Sequence, residues 1–124
     1  MVNQKILIVE DENIVAKDLQ KRLMNLGYDV VGIVSTGEEA VKKVVATSPD
    51  LVLMDVRLKG EMDGIEAASA LHFQHGVAVV YLSAYADNDT LKRASKTEPF
   101  GYILKPFEER ELHTTIEMIR EVGI

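Results

Sequence analysis

Two rhythms of apolar residues take turns along this chain. Short, nearly uninterrupted runs (Lys5–Val9, Val30–Val34, Leu51–Asp55, Val77–Ser83 and Phe100–Leu104) alternate with longer stretches where apolar side chains return every three or four positions. The runs predict strands buried on both faces, and the stretches predict amphipathic helices. In the first helix, Asn13–Leu26, the stripe is Val15, Leu19, Leu23 and Leu26, and Gly27 is placed to be its left-handed cap. Thr36-Gly37-Glu38-Glu39 predicts a capping box for the second helix, which carries Ala40, Val41, Val44 and Val45 inward until Pro49 breaks it. Asp63-Gly64-Ile65-Glu66 predicts another, opening a helix through Gln74 with Ile65, Ala68 and Leu71 buried. The helix Asp87–Thr97 has mainly Leu91 and Ala94 to bury, so it is expected to dock most weakly. Glu108–Val122 closes the chain with Leu112, Ile116 and Ile119 inward.

Five strands alternating with five helices predict a parallel sheet covered on both faces, with the first strand at or near its centre. All strand ends of one sense then meet at a single edge, where open α/β sheets keep their ligand sites. The run Leu51-Val52-Leu53-Met54 stops abruptly on Asp55; the other tips are Glu10-Asp11, Ser83 and Lys105. A lone aspartate ending a strand is as readily a turn residue or a helix cap. Three acids, a hydroxyl and an amine at one edge ask for a chemical reason.

Composition narrows that reason. At 124 residues the chain is expected to form one domain, without internal repeats or linker-like segments. A formal charge of −6 argues against direct binding to nucleic acid or anionic membranes. No apolar run approaches the ~20 residues of a membrane helix, and the first residues lack signal-peptide character, a pattern that fits a cytoplasmic protein. Cysteine is absent, and His72, His75 and His113 show no zinc-like spacing. Crowded carboxylates repel unless a cation neutralises them; a hard divalent ion with oxygen ligands suits them, Mg²⁺ above all. Lys105 supplies a compact positive charge and Ser83 a hydroxyl donor, so the set matches the charge of a transferred phosphoryl group, with a carboxylate as nucleophile. Phosphate-loop, dinucleotide-binding and esterase motifs are missing.

The residues Glu10-Asp11, Asp55, Ser83 and Lys105-Pro106, in that order after the first, third, fourth and fifth strands, resemble the receiver domain of two-component response regulators. Met62-Asp63-Gly64 and Tyr102 match further positions of the pattern, and the resemblance covers essentially the whole chain. It implies a flavodoxin-like fold with strand order 2-1-3-4-5 and a cis peptide before Pro106. It implies that Asp55 accepts a phosphoryl group from a sensor histidine kinase or a histidine phosphotransfer protein. Asp11, Asp55 and the Arg57 backbone carbonyl would bind Mg²⁺, with Glu10 helping through water. Ser83 and Lys105 would contact phosphoryl oxygens, and Tyr102 would be the aromatic switch. The expected outcome is a stand-alone receiver of residues 1–124 acting on a downstream protein, compatible with a phosphorylation-dependent homodimer, and not an enzyme in its own right. The chain departs from the family in the segment Val56-Arg57-Leu58-Lys59-Gly60-Glu61, which is one residue longer than usual and lacks its proline. Arg57 and Tyr85 border the site and are expected to obstruct the hydrolytic water. The rival readings are a receiver-like interaction module without phosphorylation, a flavin protein, and a phosphatase with an aspartate nucleophile. The flavin reading lacks a phosphate-cradling first loop, and the phosphatase reading lacks a D-x-D motif at Asp55-Val56-Arg57.

Overall fold

The computed structural model describes residues 4–58, 62–84 and 88–122. Strand and helix alternate through them: β1 Lys5–Val9, α1 Asn13–Asn25, β2 Asp29–Val34, α2 Gly37–Thr47, β3 Leu51–Asp55, α3 Gly64–His75, β4 Ala78–Ser83, α4 Asn88–Ser95, β5 Gly101–Leu104 and α5 Glu109–Val122. All strand pairs are parallel, and the sheet order is β2-β1-β3-β4-β5. β1 and β3 therefore lie inside the sheet, side by side, with their carboxyl ends in register.

Period-two alternation sorts the strand side chains onto two faces. Ile6, Ile8, Leu51, Leu53, Val80 and Leu82 pack with Leu19, Leu23, Leu112 and Ile116 of α1 and α5. Leu7, Val9, Val52, Met54, Val79 and Tyr81 pack with residues of α2, α3 and α4 on the other face. This two-sided burial explains why the central strands read as continuous apolar runs rather than alternating ones.

The helix starts follow their caps. Asp63 makes a complete capping box, accepting from the Glu66 amide while the Glu66 carboxylate accepts from the Asp63 amide. Thr36 makes only half of one. Its hydroxyl oxygen accepts from the Glu39 amide at 3.1 Å, but the Glu39 carboxylate takes hydroxyl hydrogen bonds from Ser35 and Thr36 instead of reaching back to a backbone amide. Two burial expectations are corrected. Val45 is 66% exposed, because α2 turns only Ala40, Val44 and the half-buried Val41 toward the sheet. Leu91 is 38% exposed, so Ala94 is the sole fully buried apolar side chain of α4 among the described residues. In α1 the fully buried stripe runs through Ala16, Leu19 and Leu23, with Val15 only half-buried.

α4 is nonetheless tied down by polar groups. Its end is marked by Thr97, whose buried hydroxyl donates to the Ala94 carbonyl at 2.6 Å and lies 2.7 Å from the Tyr81 hydroxyl. Tyr81 is fully buried on β4, and burial pushes its phenol up to about 12, outweighing the Thr97 hydrogen bond. Tyr81→Phe removes one buried hydrogen bond while Thr97 keeps its carbonyl partner. The expected loss is about 1 kcal/mol in urea unfolding, with faster amide exchange at the end of α4. Unchanged exchange there would show that the phenol does not hold this helix.

Candidate functional site

Three strands deliver the acids and the amine to the carboxyl edge of the sheet. β1 runs directly into Glu10 and Asp11, β3 ends on Asp55, and β5 is followed by Lys105. Because β1 pairs with β3 from Ile6 to Val9, the residue after Val9 falls next to Asp55. Glu10 is 1% exposed and Asp55 6% exposed, while Asp11 is half-buried at the mouth. One carboxylate oxygen from each of the three lies within 4.8 Å of the others. The Lys105 ammonium donates to the Glu10 carboxylate at 2.8 Å and to Asp55 at 3.4 Å.

The surrounding backbone fixes these groups. The second Glu10 oxygen accepts from the Glu12 amide at 3.2 Å, and the second Asp55 oxygen accepts from the Arg57 amide at 3.2 Å. The Ser83 carbonyl accepts from the Lys105 amide at 2.8 Å, joining the tips of β4 and β5. Ser83 itself is fully buried one step beyond Leu82, which pairs with Asp55. The Lys105–Pro106 peptide is cis, as expected. Tyr102 is half-buried on β5 beside Tyr81, with ring centroids 6.1 Å apart.

Electrostatics follow from this crowding. Burial pushes the Glu10 carboxyl above its ordinary value, the hydrogen bond from Lys105 opposes the rise, and the charge of Asp55 adds to it. Burial on its own would lower the Lys105 ammonium. The hydrogen bond to Glu10 and the charges of Asp55 and Glu10 outweigh burial and hold it above its usual value. Three clustered carboxylates, two of them on the one Lys105 ammonium, form a site with acid to spare, and that donor set fits a hard divalent cation.

Each predicted tip residue thus lies at this edge: Glu10, Asp11, Asp55, Ser83 and Lys105. Arg57 contributes its backbone beside Asp55, and its side chain is exposed. Tyr85 falls outside the described residues. Other residues framing the site carried no signal in the sequence pattern. Arg93 of α4 pairs with Asp63 at 2.8 Å, and the Glu38 carboxylate accepts from the Met62 amide at 3.1 Å. The Asp63 carboxyl is held below its usual value: burial would raise it, but the hydrogen bond from Arg93 and the Glu66 amide outweigh that.

An open parallel sheet in this order, with an acid cluster and a lysine at its carboxyl edge, defines a flavodoxin-like receiver. The chain belongs to the response regulator receiver domain family, which residues 6–117 match. It is 37% identical over 117 residues to the transcriptional regulatory protein PdtaR of Mycobacterium tuberculosis, covering 94% of this chain and 57% of PdtaR. It is 35% identical over 119 residues to the alkaline phosphatase synthesis transcriptional regulatory protein PhoP of Bacillus subtilis, covering 95% of this chain and 49% of PhoP. The chain spans about half the length of the curated relatives it matches. Among solved structures, the signal receiver domain of a modulated diguanylate cyclase from Desulfovibrio desulfuricans superposes with a TM-score of 0.91 at 38% identity, covering 95% of this chain and 94% of that one. The chain is therefore a receiver of two-component signalling, and receivers are generally not enzymes. No helix among the described residues is long and apolar enough to cross a membrane.

Proposed function

We propose that Asp55 is the phosphoryl acceptor of this receiver. One observation carries the reading. One carboxylate oxygen from each of Glu10, Asp11 and Asp55 lies within 4.8 Å of the others, and the Lys105 ammonium bridges Glu10 and Asp55. In the proposed step an Asp55 oxygen attacks the phosphorus of a phosphohistidine on a sensor histidine kinase or histidine phosphotransfer protein. The new P–O bond forms as the P–N bond breaks, and the imidazole leaves with the electron pair. Lys105 neutralises one phosphoryl oxygen and the Ser83 hydroxyl donates to another. Asp11, Asp55 and the Arg57 carbonyl would hold Mg²⁺, with Glu10 acting through water. The ion would supply charge neutralisation at the phosphoryl oxygens.

The test is intact mass after incubation with acetyl phosphate and Mg²⁺. Wild-type protein is expected to gain one phosphoryl group that alkali removes, and Asp55→Asn to gain none. An unchanged gain in Asp55→Asn would move the acceptor elsewhere.

The output reading follows from α4, β5 and α5. Among the described residues only Ala94 anchors α4 in the apolar core, Leu104 of β5 is 47% exposed, and Tyr102 pairs with Tyr81 of the site strand β4. Elements that switch come from the weakly docked end of a fold. Tyr102 is proposed to move inward as Ser83 is drawn to the phosphoryl group, changing this face for a downstream protein or a second copy of the chain. Beryllofluoride binding is expected to change amide exchange in α4, β5 and α5 most. Changes confined to α2 and α3 would contradict this route.

A further inference from the structure

The β3–α3 connection leaves the site at Val56 and returns at Met62, and its two ends are held differently. The Val56 amide donates to the Leu82 carbonyl, the Arg57 amide to the Asp55 carboxylate, and the Gly64 amide to the Val56 carbonyl. These bonds lie within β3, β4 and the start of α3. The return end is held from a different element. Glu38, in the first turn of α2, reaches across to accept the Met62 amide at 3.1 Å. The neighbouring Gly37 makes the approach close: a Cβ there would come 2.9 Å from the Ala67 Cβ and 3.0 Å from the Met62 sulfur. α2 therefore abuts the connection because residue 37 has no side chain, and residue 38 supplies the acceptor. Among the described residues, this is the one hydrogen bond from α2 to the connection.

We infer that Glu38 is a positioning residue for the acid pocket. By accepting the Met62 amide it anchors the return end of a connection whose first residues, Val56 and Arg57, border Asp55. Met62 stands two residues before Gly64, whose amide holds the Val56 carbonyl at 2.9 Å, so an acceptor at Met62 steadies the bond that ties the start of α3 to the end of β3. Glu38 does not touch the reacting atoms. It sets how well the Arg57 carbonyl is presented to the proposed cation and how often Asp55 stands ready. The inference rests on the reading of Asp55 as acceptor.

Three proteins are compared: wild type, Glu38→Ala, which removes the acceptor, and Glu38→Gln, which keeps a carbonyl acceptor without the charge. Glu38 is exposed, so all three are expected to fold. The readouts are amide exchange at Met62, the Kd for Mg²⁺ alone, and the rate of phosphoryl uptake from acetyl phosphate. In Glu38→Ala the Met62 amide is expected to exchange faster, the Mg²⁺ Kd to rise and uptake to slow, each by about 5-fold, the effect of one hydrogen bond to a charged group. Glu38→Gln is expected to stay close to wild type in all three. Wild-type Mg²⁺ affinity and uptake in Glu38→Ala would overturn the inference, even with faster exchange at Met62. So would a Glu38→Gln protein that behaves like Glu38→Ala, since the effect would then be one of charge. Loss of the acceptor reading has its own signature: Asp55→Asn would take up phosphoryl as wild type does, while Mg²⁺ binding and Met62 exchange still report on Glu38.

Discussion

Gly64→Ala is expected to destabilise the protein by about 3 kcal/mol, the upper end of ordinary overpacking, and to slow phosphoryl uptake at least about 10-fold. The reason is backbone against backbone. A Cβ at residue 64 would overlap the Asp55 carbonyl oxygen and come within 2.8 Å of the Val56 carbonyl oxygen. Neither obstacle is a flexible side-chain end that can swing away. The Gly64 amide donates to the Val56 carbonyl at 2.9 Å, and Asp63 caps α3 just before it, so α3 cannot retreat without breaking both. Either α3 moves or the end of β3 moves, and the second choice displaces Asp55. Gly76→Ala separates this from a general glycine effect. Gly76 caps α3 at φ +67° with no atom near the place of a Cβ, so alanine there meets only backbone strain of about 1 kcal/mol. Urea unfolding of the two variants decides the matter. Equal losses would mean that the close approach to Asp55 can relax.

That contact shows what a sequence can and cannot reveal. Asp63-Gly64-Ile65-Glu66 announces a helix start because capping is local chemistry over four residues. The same glycine's second duty, clearing the Asp55 carbonyl, depends on where β3 ends in space, and no spacing encodes it. The five tip residues were legible because a parallel sheet sends every strand end to one edge, so apolar runs that stop on Asp55, Glu10, Ser83 and Lys105 must converge. Tyr81 reads as one more apolar strand residue; the partner for its hydroxyl, Thr97, lies sixteen residues on, just past the end of α4. Arg93 and Glu38 read as solvated helix charges, which most such residues are. Their partners, Asp63 and the Met62 amide, are set by how α4 and α2 lean on the β3–α3 connection. Val45 reads as inward because three valines and two alanines crowd one short helix. The helix buries Ala40 and Val44 instead, and the next residue, Val45, falls on the outer face.

The second large effect belongs to Lys105. Replacing it with methionine keeps much of the side-chain volume and removes an ammonium that touches both Glu10 and Asp55. Taking one partner from a fully buried ion pair costs about 3–5 kcal/mol, and less where the abandoned acid can take up a proton. The expected loss at pH 7 in metal-free buffer is therefore about 2–3 kcal/mol. The pH dependence carries the sharper test. The Glu10 carboxyl already lies above its unfolded value through burial, despite the opposing Lys105 hydrogen bond. Without Lys105 it rises further. A carboxyl with a raised folded-state pKa makes the native state hold the proton more tightly. Stability then falls as pH rises from the ordinary carboxylate range through the folded value, and recovers as pH is lowered. Lys105 has the opposite consequence in wild type. Its raised pKa contributes stability that is complete below the ordinary lysine range and is lost only at alkaline pH. Between pH 5 and pH 7 the wild-type slope should accordingly be shallower than that of Lys105→Met. Asp63, held low by Arg93, loses its contribution only below its ordinary value and so leaves this window undisturbed. Mg²⁺ should stabilise Lys105→Met more than wild type at pH 7, because the acids are left with one cation fewer to satisfy them. Urea titrations at several pH values, with and without Mg²⁺, measure both effects. Parallel pH slopes in the two proteins would show that Glu10 does not depend on the Lys105 ammonium.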